Sequence, residues 1–177
     1  TGISTTANIV ITFSEAMNQT SLTYTTNPNP GNWSISWNSG STIATFSHSD
    51  FEENTDYTFK ITSARDLSGN DLAGGTYVLA FRTGDFTNPQ ITAANPESGA
   101  NTILVSQDIV VTFSEQMDTS NFTYTLTPSI SNHSTSWNYG NTVATISHDD
   151  FASTTTYTFS VTSAKDTYGN SLTSGSV

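Results

Sequence analysis

The sequence predicts an all-β protein made of two tandem antiparallel β-sandwiches, and three observations carry this prediction. Residue n in the first half matches residue n + 100 in the second half, without a gap, from about residue 8 onward. Apolar residues alternate with polar ones at a period of two, as they do in half-buried strands. Turn-forming residues separate these runs at regular intervals, which is typical of a sandwich. No segment has the periodicity of an amphipathic helix.

The repeat is long enough to be a duplicated domain. The segment IVITFSEAM at residues 9–17 returns as IVVTFSEQM at residues 109–117. A solenoid unit spans only ~20–50 residues, so a period twice that length indicates two whole domains. We predict one domain over residues 1–86 and a second over residues 87–177. Duplicated domains usually extend a protein, multiply its binding sites or space other domains apart. An enzyme, in contrast, seldom needs two copies of its site in series.

The first three predicted strands of the first copy follow from alternation and from turns. The strand near 7–14 alternates Ile, Ile and Phe with Val, Thr and Ser. The strand near 21–27 ends at an Asn-Pro-Asn-Pro-Gly run, which favours a turn. The strand near 33–38 places apolar side chains, among them Trp33 and Trp37, on one face and ends at an Asn-Ser-Gly turn.

Three further strands complete the first copy. The strand near 42–48 follows the Asn-Ser-Gly turn, and the strand near 56–63 alternates Tyr, Phe and Ile with Thr and Lys. A strand near 76–84 alternates Tyr, Leu and Phe in the same way. The second copy repeats the first five strands at positions 100 higher, near 107–114, 121–127, 133–138, 142–148 and 156–163, and adds a strand near 90–95 before them.

The two copies differ at their ends. The first copy has no counterpart of residues 89–100 and therefore lacks its first strand, whereas the second has no counterpart of residues 78–83 and lacks its last strand. Two explanations stay open: the sequence is a piece cut from a longer array, or neighbouring chains donate the missing strands, since open sheet edges seek partners.

The alternation also predicts which side chains are buried. On each strand, one set of alternate residues should face the space between the two sheets. Tyr57 and Tyr157 begin a strand six residues after a Phe, which predicts a tyrosine corner whose hydroxyl bonds to nearby backbone. The residues predicted to be buried are Ile9, Ile11, Phe13, Trp37, Phe59, Ile61 and their partners 100 positions later.

Charge and composition exclude several classes of function. The net charge is −11, with only four Lys and Arg residues, so a phosphate backbone or an anionic membrane would be repelled. No apolar stretch approaches the ~20 residues of a membrane span, and no cysteine is present to form a disulfide framework. We therefore expect no nucleic-acid partner and no membrane insertion.

The candidate catalytic pairs are weak. His48 and Asp50, and their copies His148 and Asp150, have residue types suited to acid–base chemistry. No serine is visibly poised as a nucleophile for them, and the chain has no cysteine. Asp66 lies in an Asp-Leu-Ser-Gly-Asn run that favours an Asx turn rather than a calcium loop. We predict that the protein is not an enzyme and that it has no cofactor, with calcium as the one candidate ion.

Acidic residues suggest a calcium site between the two domains. In an up-and-down sandwich, the loop before the 56–63 strand and the end of the last strand share one pole, while two other loops share the opposite pole. Stacked domains would bring these groups together, and calcium prefers 6–8 oxygen ligands. A solvated acidic rim is the alternative. The candidate ligands are Asp50, Glu52, Glu53, Asp56, Asp85, Glu115, Asp118 and Asp166.

One aromatic residue suggests a ligand site. Trp33 shares a strand face with Trp37, but His133 replaces it in the second copy, so the position is not an obligatory part of the core. An aromatic strip of this kind can stack on a sugar ring. Trp33 is therefore the candidate contact for a carbohydrate or protein ligand.

Several segments together resemble the bacterial Ig-like domains of S-layer proteins and large surface adhesins. The second copy carries NPESGA at residues 95–100, IVVTFSEQM at 109–117, FASTTTYTFSV at 151–161 and KDTYGNSL at 165–172, and the first copy repeats the last three with substitutions. Phe stands where the family usually has Leu, at residues 51 and 151. The resemblance covers nearly the whole chain.

The resemblance implies two tandem immunoglobulin-like sandwiches and a non-catalytic, extracellular role. We expect a structural spacer of a cell-surface protein of the S-layer or adhesin type, whose partners are neighbouring modules of the same chain and a surface glycan or protein. Two alternatives stay open: a carbohydrate- or protein-binding module, and an accessory region of a secreted polysaccharide-degrading enzyme. Fold alone does not choose between them.

Overall fold

A computed structural model describes residues 2–173 of the chain. The chain forms two compact units, Thr1–Asp85 and Phe86–Val177, whereas the sequence placed the boundary one residue later. Each unit consists of strands with one short 3₁₀ helix, Gln19–Ser21 in the first and Thr119–Asn121 in the second. The prediction of an all-β protein is confirmed.

The first unit is a sandwich of two three-stranded antiparallel sheets. One sheet has the order β1-β4-β3 and the other the order β2-β5-β6. The sheets face each other through aromatic side chains, since the ring centroids of Phe46 on β4 and Phe59 on β5 are 4.8 Å apart. The strands are β1 (Ile9–Thr12), β2 (Thr23–Asn27), β3 (Ser34–Trp37), β4 (Ile43–Ser47), β5 (Asp56–Ser63) and β6 (Tyr77–Arg82).

The second unit repeats this plan, with β7 described in addition and with no counterpart of β6 among residues 86–173. Among residues 86–173, one sheet has the order β10-β11-β8-β7 and the other pairs only β12 with β9. The register is conserved between the copies: Val10 pairs with Thr45, and Val110 pairs with Thr145. The strands are β7 (Ile91–Asn95), β8 (Ile109–Phe113), β9 (Thr123–Thr127), β10 (Ser134–Trp137), β11 (Val143–Ser147) and β12 (Thr158–Ser163).

A polar side chain closes the tight turn between β3 and β4. The side-chain oxygen of Asn38 accepts hydrogen bonds from the backbone nitrogens of Thr42 and Ile43, at 2.8 and 3.0 Å. Ser41, which lies between Asn38 and Thr42 in this turn, has a φ of 51°, in the left-handed region. Asn138 makes the same two bonds in the second unit. The turn therefore depends on local side-chain chemistry that both copies carry.

The core of the first unit largely matches the prediction. Phe59 and Ile61 are fully buried, and Ile9, Ile11 and Phe13 are at most 9% exposed. Trp37 is an exception because it is only partly buried and stacks on Phe13, with a centroid distance of 5.7 Å. The alternate residues of β1 and β5 thus face inward as expected.

The second unit departs from the prediction on two strands, β10 and β12. Ile109, Val111 and Phe113 on β8 are buried, as predicted. Phe159 and Val161 on β12 are only partly buried, and so is Trp137, although each was predicted to be buried. In the first unit β6 covers the edge of the equivalent strand, whereas no strand among residues 86–173 lies on that side of β12.

Loops gather at the poles of each unit as the strand order requires. In the first unit, the nitrogen of Asn18 in the β1–β2 loop donates to the carbonyl of Arg65 in the β5–β6 loop at 2.8 Å. At the other pole, the nitrogen of Asn54 in the β4–β5 loop donates to the carbonyl of Gly84 at 3.0 Å, just after β6. These two groups of loops hold the candidate site residues.

Candidate functional site

The two candidate catalytic histidines contact backbone rather than a nucleophile. The Nδ1 and Nε2 atoms of His48 lie 2.6 and 3.1 Å from the carbonyl oxygens of Ser49 and Ala7. His148 has the same two contacts, at 2.7 Å to Asp149 and 3.1 Å to Gln107. Each ring therefore links the segment that precedes β1 or β8 to the loop that follows β4 or β11, 41 residues further along the chain.

The predicted tyrosine corners are present in both units. The hydroxyl of Tyr57 accepts a hydrogen bond from the backbone nitrogen of Glu52 at 2.9 Å, and the ring is only 2% exposed. The hydroxyl of Tyr157 accepts from the nitrogen of Ala152 at 3.1 Å. Each tyrosine thus fixes the loop before β5 or β12 to the core, which is a structural task.

Asp66 and Asp166 organise the loops that follow β5 and β12. Asp66 is 6% exposed, and its Oδ1 accepts from the backbone nitrogens of Ser68 and Asn70, both at 2.8 Å. The side-chain amide of Asn70 donates to the other carboxylate oxygen at 2.6 Å, which is the chief reason that the pKa of Asp66 is lowered. Asp166 makes the same three bonds. The predicted Asx turn is confirmed.

Asp118 caps the short helix of the second unit. Its carboxylate accepts from the backbone nitrogen of Ser120 at 2.9 Å, the Ser120 hydroxyl at 2.7 Å and the Asn121 amide at 2.6 Å. The hydrogen bonds from the Ser120 and Asn121 side chains lower the pKa of Asp118. In the first unit Asn18 caps the equivalent helix, accepting from the nitrogen of Thr20 at 3.1 Å.

This difference predicts an effect of acid on the second unit. Because the folded-state pKa of Asp118 is lowered, its charged form stabilises the fold above the unfolded pKa of about 3.9, and that contribution disappears as the pH falls through the folded pKa. Asp118→Asn should keep the cap, as Asn18 does, and should leave the melting temperature at pH 7 nearly unchanged.

The same variant should lose less stability than the parent protein between pH 4 and pH 2 because its cap does not titrate. Thermal melts followed by circular dichroism across this range would measure the difference. The reciprocal variant Asn18→Asp serves as the control, since it should add acid sensitivity to the first unit. Parallel pH profiles for all three proteins would contradict the assignment.

The candidate calcium ligands of the first unit lie around one pole. Asp56 forms an ion pair with Arg82, with 2.6 Å between the carboxylate and the guanidinium. Among residues 2–85, no three carboxylates or histidines approach closely enough to share one ion. The candidates in this unit are the exposed Asp50, Glu52 and Asp56 and the half-buried Glu53 and Asp85.

The candidates of the second unit lie at the pole formed by the β8–β9 and β12 loops. Carboxylate oxygens of Glu115 and Asp166 lie within 4.8 Å of each other. Asp118 follows Glu115 closely in the β8–β9 loop, and its backbone nitrogen donates to the carbonyl of Lys165 at 2.9 Å, next to Asp166. The structure therefore brings the β8–β9 loop and the loop after β12 together, while Asp118 and Asp166 each accept hydrogen bonds from their own loops.

Calcium binding between the two units stays a prediction. Residual carboxylate charge would favour a divalent ion if the two poles approach each other. Titration calorimetry with calcium, together with small-angle scattering in calcium and in chelator, would test it. We expect binding and a change in the maximum dimension of the protein. An unchanged maximum dimension and melting temperature would reduce these residues to a solvated acidic rim.

Trp33 lies at the edge of the first core. Its ring is half-buried, 4.9 Å from the ring of His48 and 5.5 Å from that of Tyr24. Its indole N–H donates to the side-chain oxygen of Asn29 at 2.8 Å. In the second unit His133 takes this place and contacts the hydroxyl of Tyr124 at 2.8 Å. Packing accounts for much of the Trp33 ring, and its role as a ligand contact stays a prediction.

Sequence reasoning missed the part played by Thr83. This residue is 1% exposed, and its hydroxyl donates to the carbonyl of Glu52 at 2.6 Å and accepts from the nitrogen of Thr55 at 2.9 Å. It also pairs in parallel with Ile3 near the start of the unit. Thr83 has no counterpart in the second copy, so the internal repeat gave no signal for it.

Comparison with known proteins agrees with the geometry. The family model of the bacterial Ig-like domain matches residues 1–83 and again residues 85–177. A search of curated proteins found no match to this chain. No helix among residues 2–173 has the length and apolar character needed to cross a membrane.

The family model has consequences for function. Domains of this family are typically extracellular structural or surface modules, and the Ig-like fold is a non-catalytic domain type. This agrees with histidines and buried aspartates whose hydrogen bonds go to backbone and side-chain groups of their own domain. The chain belongs to the family of bacterial Ig-like domains and carries two of them in tandem.

Proposed function

We propose that this chain is a load-bearing spacer from an extracellular cell-surface protein of the S-layer or adhesin type. The observation that carries the proposal is the tandem duplication of a domain whose polar groups serve its own loops. In both modules the catalytic candidates tie strands together, as the matched contacts of His48 and His148 show. Each module then acts as one rigid element in an array, and its acidic surface keeps the array soluble.

The ends of the first module are joined in a way that suits such a role. Ile3 and Thr83 form a parallel bridge, in which the nitrogen of Ile3 donates to the carbonyl of Arg82 and the nitrogen of Gly84 donates to the carbonyl of Ile3, both at 3.0 Å. Because the paired segments run in the same direction, a pull on the two ends of the module shears these bonds together rather than opening them one by one.

A glycine is required at this junction. A Cβ atom placed on Gly2 would overlap the backbone nitrogen and α-carbon of Gly84. Any side chain there must therefore push the two paired segments apart. Gly40 provides a matched control because its added Cβ would make only ordinary contacts, the nearest at 3.7 Å.

Single-molecule force spectroscopy would test the proposal. With handles at both ends, the chain should give two unfolding events, each lengthening it by roughly 300 Å, as expected for an extended chain of this length. Gly2→Ala should lower the unfolding force of one event, whereas Gly40→Ala should not. The load-bearing role would be contradicted if both events occurred at the force of a flexible linker or if Gly2→Ala had no effect.

The binding alternative has its own test. A glycan array probed with the protein and with Trp33→Ala should show no specific binding if the chain is a spacer. A sugar bound by the parent protein and lost in the variant would favour a carbohydrate-binding module. Binding and spacing are separable outcomes because the force experiment does not involve Trp33.

A further inference from the structure

The motif for N-linked glycosylation occurs four times, and its positions are confined to two short segments. The motif is an Asn followed, after any residue except Pro, by Ser or Thr. Asn is common throughout the chain, yet the motif is found only within residues 18–34 and 121–134. The clustering gives the motif a defined place in the fold. The four copies are Asn18-Gln-Thr20, Asn32-Trp-Ser34, Asn121-Phe-Thr123 and Asn132-His-Ser134.

Each motif lies at or just before the start of a strand that ends a sheet. In the first module these edge strands are β2, in the order β2-β5-β6, and β3, in the order β1-β4-β3. In the second module they are β9, in the order β12-β9, and β10, in the order β10-β11-β8-β7. The Ser or Thr of three motifs is the first residue of its strand, and Thr20 lies three residues before the start of β2.

Both modules share these edges. The strands that differ between the modules, β6 and β7, lie at the opposite ends of the same sheets. No strand among residues 2–173 pairs with the outer side of β2, β3, β9 or β10. An open edge presents backbone N–H and C=O groups to which another chain can pair, and proteins usually protect such edges. The four motifs therefore lie where protection is needed.

The motifs before β3 and β10 have exposed acceptor side chains. A glycan is attached at the side-chain nitrogen of Asn, which has two N–H groups and keeps one of them after attachment. That nitrogen of Asn32 donates to the hydroxyl of Ser49 at 2.7 Å, and that of Asn132 donates to the carboxylate of Asp149 at 2.9 Å. One N–H group is enough for each of these bonds, so a glycan is compatible with both.

Backbone geometry accounts for only half of these two motifs. Asn32 and Asn132 have φ values of 51° and 50°, in the left-handed region that Asn tolerates better than most residues. The Ser residues two positions later have no such explanation, because the hydroxyls of Ser34 and Ser134 have no hydrogen-bond partner among the described residues. Both copies nevertheless keep the Ser, although the residue between differs.

The motifs before β2 and β9 are exposed as well. The side-chain oxygen of Asn18 accepts hydrogen bonds from the backbone nitrogen and the hydroxyl of Thr20, at 3.1 and 2.8 Å, which leaves the side-chain nitrogen available. The nitrogen of Asn121 donates to Asp118 at 2.6 Å and to the hydroxyl of Ser120 at 3.4 Å. The longer of these two bonds is the weaker one, and it would be replaced by the bond to a sugar.

We propose that Asn18, Asn32, Asn121 and Asn132 carry N-linked glycans, which shield the edge strands of both modules from pairing with other chains. The donor is a sugar whose anomeric carbon is bonded to a diphosphate, and the catalyst is a glycosyltransferase. The Asn nitrogen forms a bond to that carbon and loses one proton, while the bond from the carbon to the diphosphate oxygen breaks and its electron pair leaves with the diphosphate.

This inference rests on the extracellular location in the proposed function, because the motif acts as an acceptor in secreted proteins. A glycan is bulky and well hydrated, so it occupies the space beside an edge strand without adding an apolar surface. It would protect these edges in the way that charged side chains or Pro protect other edges.

Mass spectrometry of the protein isolated from the cells that make it provides the direct test. Fragmentation that leaves sugars on the side chain would assign each modified residue. We expect sugar masses on the four Asn residues of the motifs. We expect none on Asn38 or Asn138, which are exposed and directly follow β3 and β10 but lie outside the motif.

Variants made in the same cells would show that the motif directs attachment. Ser34→Ala removes the hydroxyl of one motif and should abolish the sugar on Asn32 while the other three remain. Ser36→Ala is the matched control, because this residue is exposed on the same strand but lies outside the motif, and it should keep all four. Circular dichroism would establish that both variants are folded.

Analytical ultracentrifugation would test the shielding. Protein made in cells that lack N-linked glycosylation should associate at lower concentrations than the glycosylated protein, because its edge strands are open. Circular dichroism of the two proteins serves as the control for folding. Equal association of the two proteins would overturn the shielding.

Two further outcomes would overturn the sites themselves. One is the absence of sugars on all four Asn residues in protein recovered from outside the cell, which would leave the spacer role intact. The other is a sugar that stays on Asn32 in the Ser34→Ala variant. Recovery of the protein from inside the cell would instead contradict the proposed function, so the two failures are distinguishable.

Discussion

Phe59→Ala should lower the free energy of unfolding of the first module by about 3–5 kcal/mol, the usual cost of truncating a large core side chain. Phe59 is fully buried, and its ring meets those of Phe46 at 4.8 Å and Tyr24 at 5.6 Å. Phe159→Ala should cost about 1–2 kcal/mol because part of that side chain already contacts solvent. The two variants therefore compare the same substitution at equivalent positions of the two modules.

Hydrogen exchange followed by mass spectrometry would measure both effects in the intact chain, since peptides from β5 and β12 report on their own modules. Thr58→Ala and Thr158→Ala, which change exposed neighbours, serve as controls and should have small effects. A loss below about 1 kcal/mol for Phe59→Ala would mean that the inward face is misassigned. Equal losses for Phe59→Ala and Phe159→Ala would mean that the edge of β12 is covered in solution.

Asp66→Ala should have the second large effect. The variant removes the acceptor for the nitrogens of Ser68 and Asn70 and for the Asn70 side chain, and two of these donors are backbone groups that the loop holds in place. We expect exchange at these amides to accelerate by about hundredfold and the melting temperature of the first module to fall by several degrees. Exchange at β3, which belongs to the other sheet, should change far less.

Two further variants separate the carboxylate from its surroundings. Asp66→Asn places an amide nitrogen where the Asn70 amide donates, so it should restore only part of the lost protection. Asp71→Asn breaks the ion pair with Arg65, in which both side chains are more than half exposed, and it should hardly change the stability.

Because the pKa of Asp66 is lowered, the difference in stability between the parent protein and Asp66→Asn should shrink as the pH falls below about 4. An unchanged difference at low pH would exclude a role for the charge.

Much of the fold could be predicted because its determinants are local. The period-two alternation of Ile9, Ile11 and Phe13 identifies both the strand β1 and its inward face. Turn chemistry is local as well, since the bonds from Asp66 and Asn38 span no more than five residues. The duplication strengthened each prediction by repeating it at a distance of 100 residues.

The candidate site could be predicted only in part. The residues that each pole contains follow from strand order, which the sequence indicated, and the tyrosine corner follows from the spacing between Phe51 and Tyr57. Contacts between distant segments could not be predicted from the sequence. Nothing near His48 in the sequence indicates that its ring contacts the carbonyl oxygen of Ala7. The buried hydroxyl of Thr83 escaped notice for the same reason.

The sequence by itself determined that this chain is a pair of antiparallel sandwiches, which strands they contain and which side of most strands faces inward. Only the tertiary structure decided which inward-facing residues are covered. Phe59 on the central strand β5 and Trp37 on the edge strand β3 both lie in an alternating pattern, yet Phe59 is fully buried and Trp37 is only partly buried. Burial depends on the neighbouring strand in the sheet, and a neighbour supplied by a distant segment leaves no mark on the periodicity of the strand that it covers.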